Sequence, residues 1–353
     1  MTMQEHPLLS VRNLQTHFKV REGIVRAVDG VSFDVYPGQT VGIVGESGCG
    51  KSITMRSILR IVRKPGRIVD GEILYRAQSD DIKTDSDGYV DLTRLAPNSK
   101  AIRMVRGREI ALIPQEPMVA FSPLHTVGDQ MTEMIVLHKG VDKNAAREIA
   151  IDKLRLVGVP APEKRIDMYS WELSGGLRQR AMIALALSCD PALLIADEPT
   201  TALDVTTQAQ ILNLLQRLQD ELGMAIIMIT HDLGVVAQVS DYVVVMYLGR
   251  VVEEGPVEDI FYSPKHPYTR ALLNSIPSRH SEERSQLPSI RGSIPIPFNR
   301  PPGCPFHNRC DSFIRGVCDR NAPELKPVAG TNQAVSCFLY DEIAAASPAE
   351  VAQ

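Results

Sequence analysis

The sequence predicts an α/β fold: a mostly parallel sheet carrying a phosphate-binding loop, an antiparallel β-layer ahead of it and a small unit behind it. Three observations carry this. The apolar run Val41-Gly42-Ile43-Val44 passes through Gly45-Glu46-Ser47-Gly48-Cys49-Gly50 into Lys51-Ser52, matching the G-x-x-x-x-G-K-[ST] loop that wraps a nucleotide's phosphates. After it, apolar runs of strand length alternate with helical patterns. Before it, apolar and polar residues alternate with a period of two.

Taken in order, Leu8 to Val35 has the rhythm of half-buried antiparallel strands, and Pro37-Gly38 turns the chain into a strand at Thr40–Val44. In the loop, Gly45, Gly48 and Gly50 admit φ > 0 and let backbone N–H groups converge on anionic oxygens. The helix beginning near Lys51 adds its positive dipole end. Lys51 reaches the β- and γ-phosphates as a point charge, and the Ser52 hydroxyl suits Mg²⁺, a hard cation.

Tyr75 to Met104 is polar and irregular, read as a surface hairpin and loops. Glu109-Ile110-Ala111-Leu112-Ile113 is a short strand that runs into Pro114-Gln115-Glu116-Pro117. Helical spacing covers Asn144–Val157, and a second helix follows Leu173-Ser174-Gly175-Gly176 through Arg178–Ser188. Ala192–Ala196 is a continuous apolar strand ending at Asp197-Glu198-Pro199. An amphipathic helix from Thr206 to about Leu222 leads to the strand Ala225–Ile229 and to Thr230-His231-Asp232. Two more strands, Tyr242–Met246 and Arg250–Glu253, precede a Pro-rich stretch (Pro288, Pro295, Pro297, Pro301, Pro302) where a small C-terminal unit begins. Ala344–Gln353 is expected to be a disordered tail.

Composition narrows the class. The chain has 353 residues, 44% hydrophobic and 23% charged, enough for a sizeable core. A net charge of −4 gives no electrostatic reason to expect a nucleic-acid partner. No window is apolar for the roughly 18 residues needed to span a bilayer. Met1 to Leu9 lacks a secretory pattern, so the cytoplasm is the expected compartment.

Asp197-Glu198 at a strand end places one carboxylate for the Mg²⁺ shell opposite Ser52 and a second where an attacking water would sit. With Leu173-Ser174-Gly175-Gly176-Leu177-Arg178-Gln179-Arg180 ahead of it, the chain resembles the ATP-binding cassette family across roughly residues 8–260. The ordered motifs are Gly45–Ser52, Gln115, Ser174–Gln179, Asp197-Glu198, Ala202-Leu203-Asp204 and His231. The resemblance implies a P-loop NTPase core with an antiparallel β-subdomain and a helical signature subdomain.

It also implies roles. Phe18 would stack on adenine; an ordinary core ring on the first strand is the alternative. Gly45, Glu46, Ser47, Gly48, Cys49, Gly50, Lys51, Ser52 and Ile53 would contact ATP, with Cys49 offering its backbone N–H and its thiol acting as a small filler. Ser52, Gln115 and Asp197 would serve Mg²⁺, and Glu198, His231, Gln115 and Lys51 would carry catalysis. Ser174, Gly175, Gly176 and Gln179, with Asp204 on the same seam, would cover nucleotide bound by another subunit, which requires a head-to-tail dimer.

Val44-Gly45-Glu46-Ser47-Gly48, Pro114-Gln115-Glu116-Pro117-Met118 and His266-Pro267-Tyr268-Thr269-Arg270-Ala271-Leu272-Leu273 narrow the likeness to importers of dipeptides, oligopeptides and nickel. Phe121-Ser122-Pro123, Leu177 and Cys49 depart from that subfamily's usual residues. The implied division is a cassette at 1–260, an oligopeptide-transporter extension at 261–340 and a tail at 341–353. Implied partners are a second ATP-binding subunit (a paralogue in a heterodimer), two transmembrane permease subunits and an extracytoplasmic solute-binding protein, at the cytoplasmic face of the membrane. A soluble ATPase acting on ribosomes or DNA-repair complexes, and an exporter subunit, are the rival readings.

Cys304, Cys310, Cys318 and Cys337 are separated by five, seven and eighteen residues. The spacing lacks the close pairs of zinc ribbons and suits a [4Fe–4S] cluster, an expectation the resemblance supports. Zinc, or reduced cysteines in a small core, are the alternatives, with His307 a further candidate ligand.

Overall fold

The computed structural model describes residues 6–79, 81–116, 120–201, 203–276, 290–295, 298 and 300–341. The expected tail lies outside the described residues except for Asp341, as do Ala202, Pro117 and Met118 of the quoted motifs and Pro288 and Pro297.

The alternating residues at the start fold into two long strands, β1 (Leu9–Val20) and β2 (Gly23–Val35), paired antiparallel. With β4 (Gly66–Arg76) and β5 (Tyr89–Asp91) they form a four-stranded sheet in the order β2-β1-β4-β5. The stretch from Tyr75 to Met104 is more ordered than expected. It holds β5 and the short helix α2 (Lys100–Met104), whose first turn is capped by Ser99.

The second sheet has eight strands in the order β11-β12-β10-β9-β3-β8-β7-β6. Its parallel part joins β3 (Thr40–Val44), β6 (Ile110–Ile113), β7 (Leu193–Asp197), β8 (Ala225–Ile229) and β9 (Tyr242–Tyr247). β3, β7 and β8 are buried along their whole length, which is why they read as unbroken apolar runs. Side chains of one strand alternate between two cores. Leu193 and Ile195 face the antiparallel layer, whereas Leu194 and Ala196 face the helices.

Those helices are α3 (Val127–Lys139), α4 (Lys143–Leu156), α5 (Pro162–Arg165) and α6 (Gly175–Ala186). Their apolar faces meet at Met131, Ile135, Ala150, Leu154 and Ile183, each about 1.5–3 kcal/mol more favourable buried than exposed for the larger side chains. α7 (Val205–Leu222) is capped by Asp204 and packs Ile211, Leu215 and Leu218 against the same core. α1 (Lys51–Ile58) follows β3, and α8 (Leu233–Val239) follows β8.

The C-terminal unit is not a separate layer. β10 (Arg250–Pro256) pairs antiparallel with β9, and β12 (Ala334–Val335) and β11 (Lys326–Pro327) extend that edge. With α9 (Val257–Tyr262) and α10 (Pro267–Asn274) the unit contributes to a third core. Tyr268, Cys304, Phe306, Cys318 and Phe338 there pack against Val44, Val243, Val245 and Tyr247 of the parallel sheet.

Candidate functional site

Because β3, β6, β7 and β8 run parallel, their carboxyl ends lie along one edge, and the loops leaving them meet. A cleft of about 400 Å³ opens there, lined by Ala27, Ser47, Gly48, Gly50, Lys51, Ser52, Ile53, Gln115, Glu198 and His231.

The glycines of the loop are required by geometry. Gly45 has φ 146°, and a Cβ there would lie 2.2 Å from the Met246 carbonyl oxygen. Gly50, at φ 108°, would put one 2.3 Å from the Ala27 carbonyl oxygen. Gly50 also caps α1 without a side-chain bond, and the first turn has no acidic residue, so the N–H groups at that tip face the cleft without a carboxylate competitor. Lys51 is buried and donates to the Gly45 carbonyl at 2.7 Å and the Glu46 carbonyl at 3.1 Å.

Ser52 Oγ donates to Asp197 Oδ1 at 3.1 Å. Burial raises the Asp197 pKa, against the Ser52 hydrogen bond that lowers it. Next in the chain, Glu198 sits at φ 50°, an arrangement costing about 1–3 kcal/mol in a non-glycine residue. Its carboxylate accepts from Gln115 Nε2 at 2.9 Å and Thr201 Oγ1 at 2.9 Å on one oxygen, and lies 3.1 Å from His231 Nδ1 on the other. Burial acts to raise its pKa, but the bonds from His231 and Thr201 outweigh it and the net shift is downward, keeping the group ionised.

Other expected residues fall elsewhere. Cys49 is buried and its N–H donates to the Glu46 carbonyl at 3.2 Å, so that N–H does not reach the cleft. The Glu46 N–H donates to Tyr268 Oη at 2.9 Å. Phe18 is half-buried on β1, its ring edge against Gly66, and does not line the cleft. Ser174 caps α6 with no side-chain bond, and open space surrounds Gly175. Neither lines this cleft. Gln179 is buried and donates to the Pro199 carbonyl at 2.5 Å, tying α6 to the turn after Glu198. Asp204 is exposed, and its bonds to the Thr207 hydroxyl and N–H hold its carboxyl below the usual range.

Sequence reasoning missed Thr201, three residues after Glu198, and Arg309, whose guanidinium pairs with Glu46 at 2.7 and 3.0 Å. Thr201 follows the quoted Asp197-Glu198-Pro199 closely enough to have been found. Arg309 carries no local signal.

The iron–sulfur expectation is overturned. Among the described residues, no group of three or more His, Cys, Asp or Glu side chains could hold a metal ion. Cys304, Cys310, Cys318 and Cys337 are free cysteines, Cys304 and Cys318 buried in the third core with Cys310 packed against it. Zinc fails on the same ground, and His307 Nδ1 instead faces the Cys304 carbonyl at 2.8 Å. Cys304, Cys310 and Cys318 pack in the third core as small apolar side chains.

Comparison with known proteins agrees with the geometry. The ABC transporter family matches residues 28–201, and the oligopeptide/dipeptide transporter C-terminal region matches residues 252–318. The chain is 47% identical to the probable peptide ABC transporter ATP-binding protein y4tR of Sinorhizobium fredii, over 97% of this chain and 99% of that protein. It is 47% identical to the dipeptide transport ATP-binding protein DppD of Bacillus subtilis, over 95% of each. Among solved structures, the dimeric ATP-binding cassette MJ0796 bound to ADP and Pi superposes with a TM-score of 0.59 at 25% identity, covering 70% of this chain and 98% of that one. A loop shaped for phosphates, a held carboxylate beside it and relatives matched end to end give one conclusion: this chain belongs to the ATP-binding subunits of ABC transporters.

Proposed function

We propose that the chain hydrolyses ATP at the Gly45–Ser52 cleft and thereby powers peptide import through separately made membrane permeases. The single observation that carries the chemistry is the Glu198 carboxylate held by Gln115, Thr201 and His231 in a cleft that Lys51 also lines. The peptide cargo follows from y4tR and DppD, which are named for peptide and dipeptide transport and match this chain at 47% identity.

The residues fit their ligands. Among the described residues Lys51 has no carboxylate partner, and the α1 tip is uncapped, which together suit a polyphosphate. Ser52 and Asp197 are adjacent hard-oxygen donors, with Gln115 at the same edge, which suits Mg²⁺. When bound there, Mg²⁺ would offset phosphate charge as a Lewis acid. Lys51 stabilises the negative charge on the γ-phosphate oxygens, and Glu198 takes a proton from the attacking water as that water bonds to the γ-phosphorus and the bond to the β–γ bridging oxygen breaks, releasing ADP and inorganic phosphate. Gln115 and His231 fix the carboxylate's direction. Adenine stacking on Phe18 would place the base beyond the cleft itself, since that ring lies against Gly66.

Ser174, Gly175 and Gly176, with Asp204 on the same seam, act on the nucleotide of a second ATP-binding subunit, a paralogue, in a head-to-tail dimer, while buried Gln179 holds that helix tip through the Pro199 carbonyl. Their position away from this chain's own cleft supports that reading, as does the dimeric state of MJ0796. In this scheme the helices from Val127 to Ala186 form the signature subdomain, residues 1–260 the cassette, 261–340 the extension and 341–353 the tail. No helix among the described residues is long and apolar enough to cross a membrane, so two permease subunits supply the spanning part and an extracytoplasmic binding protein delivers cargo. The chain then sits peripherally on the cytoplasmic face. An ATPase serving ribosomes or DNA repair finds no support in these relatives.

The test is Mg²⁺-dependent phosphate release by the chain assembled with its permeases. Lys51→Ala is expected to weaken ATP binding at least tenfold and to abolish turnover. Wild-type affinity and turnover in that variant would refute the site.

A further inference from the structure

We propose that Arg309 and Tyr268, both from the C-terminal unit, position the phosphate loop and thereby set the affinity for ATP. This rests on the reading of Gly45–Ser52 as the ATP site. Neither residue lines the cleft, so both are positioning residues.

Glu46, the residue after the first loop glycine, is gripped on three atoms. Its N–H donates to Tyr268 Oη at 2.9 Å, and its carboxylate takes a two-pronged bond from Arg309 at 2.7 and 3.0 Å. The grip itself is rigid. The Arg309 side chain is 4% exposed, its Nε donates to the Arg291 carbonyl at 2.9 Å, and its guanidinium lies over the Tyr247 and Phe306 rings at 5.8 and 5.9 Å. Tyr268 is fully buried, with ring centroids 4.7 Å from Tyr247 and 5.3 Å from Phe306. A planar fork bonded to both carboxylate oxygens fixes direction as well as distance.

Within the loop, the Glu46 carbonyl accepts from the Cys49 N–H at 3.2 Å and from Lys51, whose ammonium also donates to the Gly45 carbonyl and to Cys49 Sγ. An ammonium has three donors, and phosphate must draw on the same group. The loop therefore needs a hold that survives when Lys51 turns to nucleotide, and the C-terminal unit supplies it. Preorganisation of this kind appears in affinity, because a loop already ordered loses less freedom on binding. It also keeps the Glu46 carboxylate neutralised beside a polyanion.

The experiment is ATP titration of the full-length chain in its assembled complex, reading equilibrium binding of ATP, KM and kcat together, with thermal melts to establish folding. Arg309→Met is expected to raise the ATP Kd and KM at least tenfold with kcat within threefold of wild type. Arg309→Lys, keeping charge without the fork, recovers part of that loss, and Tyr268→Phe, keeping the ring, raises KM about threefold. The double variant Glu46→Gln with Arg309→Met is expected to be no weaker than the worse single one, since both act through one contact. Unchanged Kd and KM in folded Arg309→Met would overturn the proposal, as would a loss confined to kcat or losses that multiply in the double variant. If Arg309→Met fails to fold, unchanged KM in both Tyr268→Phe and Arg309→Lys overturns it. Lys51→Ala separates the two readings: lost binding there with unaltered binding in the Arg309 variants sinks the clamp alone, whereas wild-type binding in Lys51→Ala sinks both.

Discussion

Replacing Glu198 by Gln removes one charge and little else. The carboxylate accepts from Gln115 Nε2 and Thr201 Oγ1 on one oxygen and faces His231 Nδ1 on the other. A glutamine can keep its carbonyl oxygen toward Gln115 and Thr201 and turn its NH₂ to His231, whose ring nitrogen accepts in one tautomer. All three contacts survive, so fold and ATP binding should change little. What is lost is the base. Removing a positioned general base costs about 10²–10⁴ in rate, or roughly 3–5 kcal/mol of barrier at 1.36 kcal/mol per decade. The assay is phosphate release by the assembled transporter beside ATP binding on the same sample. We expect kcat to fall by about 10²–10⁴, with the ATP Kd within threefold. Glu198→Ala makes the contrast: it should lose the same turnover and at most about 1 kcal/mol of stability, because Gln115 and Thr201 are exposed and can bond water in place of the lost acceptor. A fall in kcat of less than about tenfold in Glu198→Gln, or a loss lying wholly in KM, would refute the base assignment.

Gly45→Ala should abolish ATP binding, because the new Cβ meets the Met246 carbonyl oxygen at 2.2 Å in a backbone conformation that alanine avoids; calorimetric titration of the folded variant checks this. Glu254 gives a pH test. Burial, helped by Asp34, raises its carboxyl from 4.5 to about 7, and its Oε2 is buried with no hydrogen-bond partner. The folded-state value is the higher one, so the stability linked to this group is present below pH 4.5 and lost as pH rises toward 7, by on the order of 3 kcal/mol at most. Glu254→Gln should therefore raise the melting temperature at pH 8 and leave it nearly unchanged at pH 4.5; an equal gain at both pH values would refute the titration account.

The parallel core was legible because its strands are buried on both faces. Thr40–Val44 and Ala225–Ile229 have the bounds expected, and the remaining core strands differ by a residue or a few at their ends. Helix ends were harder. α6 begins at Gly175, just ahead of the start expected after Gly176, since two glycines read as loop until the open space around Gly175 shows nothing forcing them out of a helix. The hairpin expected after Tyr75 is present, β4 pairing antiparallel with β5, but the rest of the stretch to Met104 reads as loops because its order rests on tertiary contacts: the buried Glu109 carboxylate accepts from Tyr75 Oη at 3.0 Å and Gln78 N–H at 3.0 Å. The site shows the same division. Gln115, Glu198 and His231 are recognisable by type and by position at strand ends, whereas the hydrogen bonds that aim them need coordinates.

The C-terminal unit is where local pattern misleads most, and the reason is physical. Four cysteines in a short Pro-rich stretch read as a metal staple on a piece too small to hold itself together. That inference assumes the piece is alone. It shares a sheet through β10 and β12, a core through Val44 and Tyr247, and an ion pair through Arg309 and Glu46, 263 residues apart in sequence. Arg300 adds another tie, bonding the carboxylate of Asp29, which lies two residues from cleft-lining Ala27. With that much borrowed core, the order of the unit does not have to rest on a metal. The same contacts run in the other direction, since a loop whose second residue is held by Arg309 and Tyr268 is ordered by chain that lies outside the ABC transporter match at 28–201. A cassette trimmed to that match would keep every glycine of the phosphate loop and lose the side chains that hold it still.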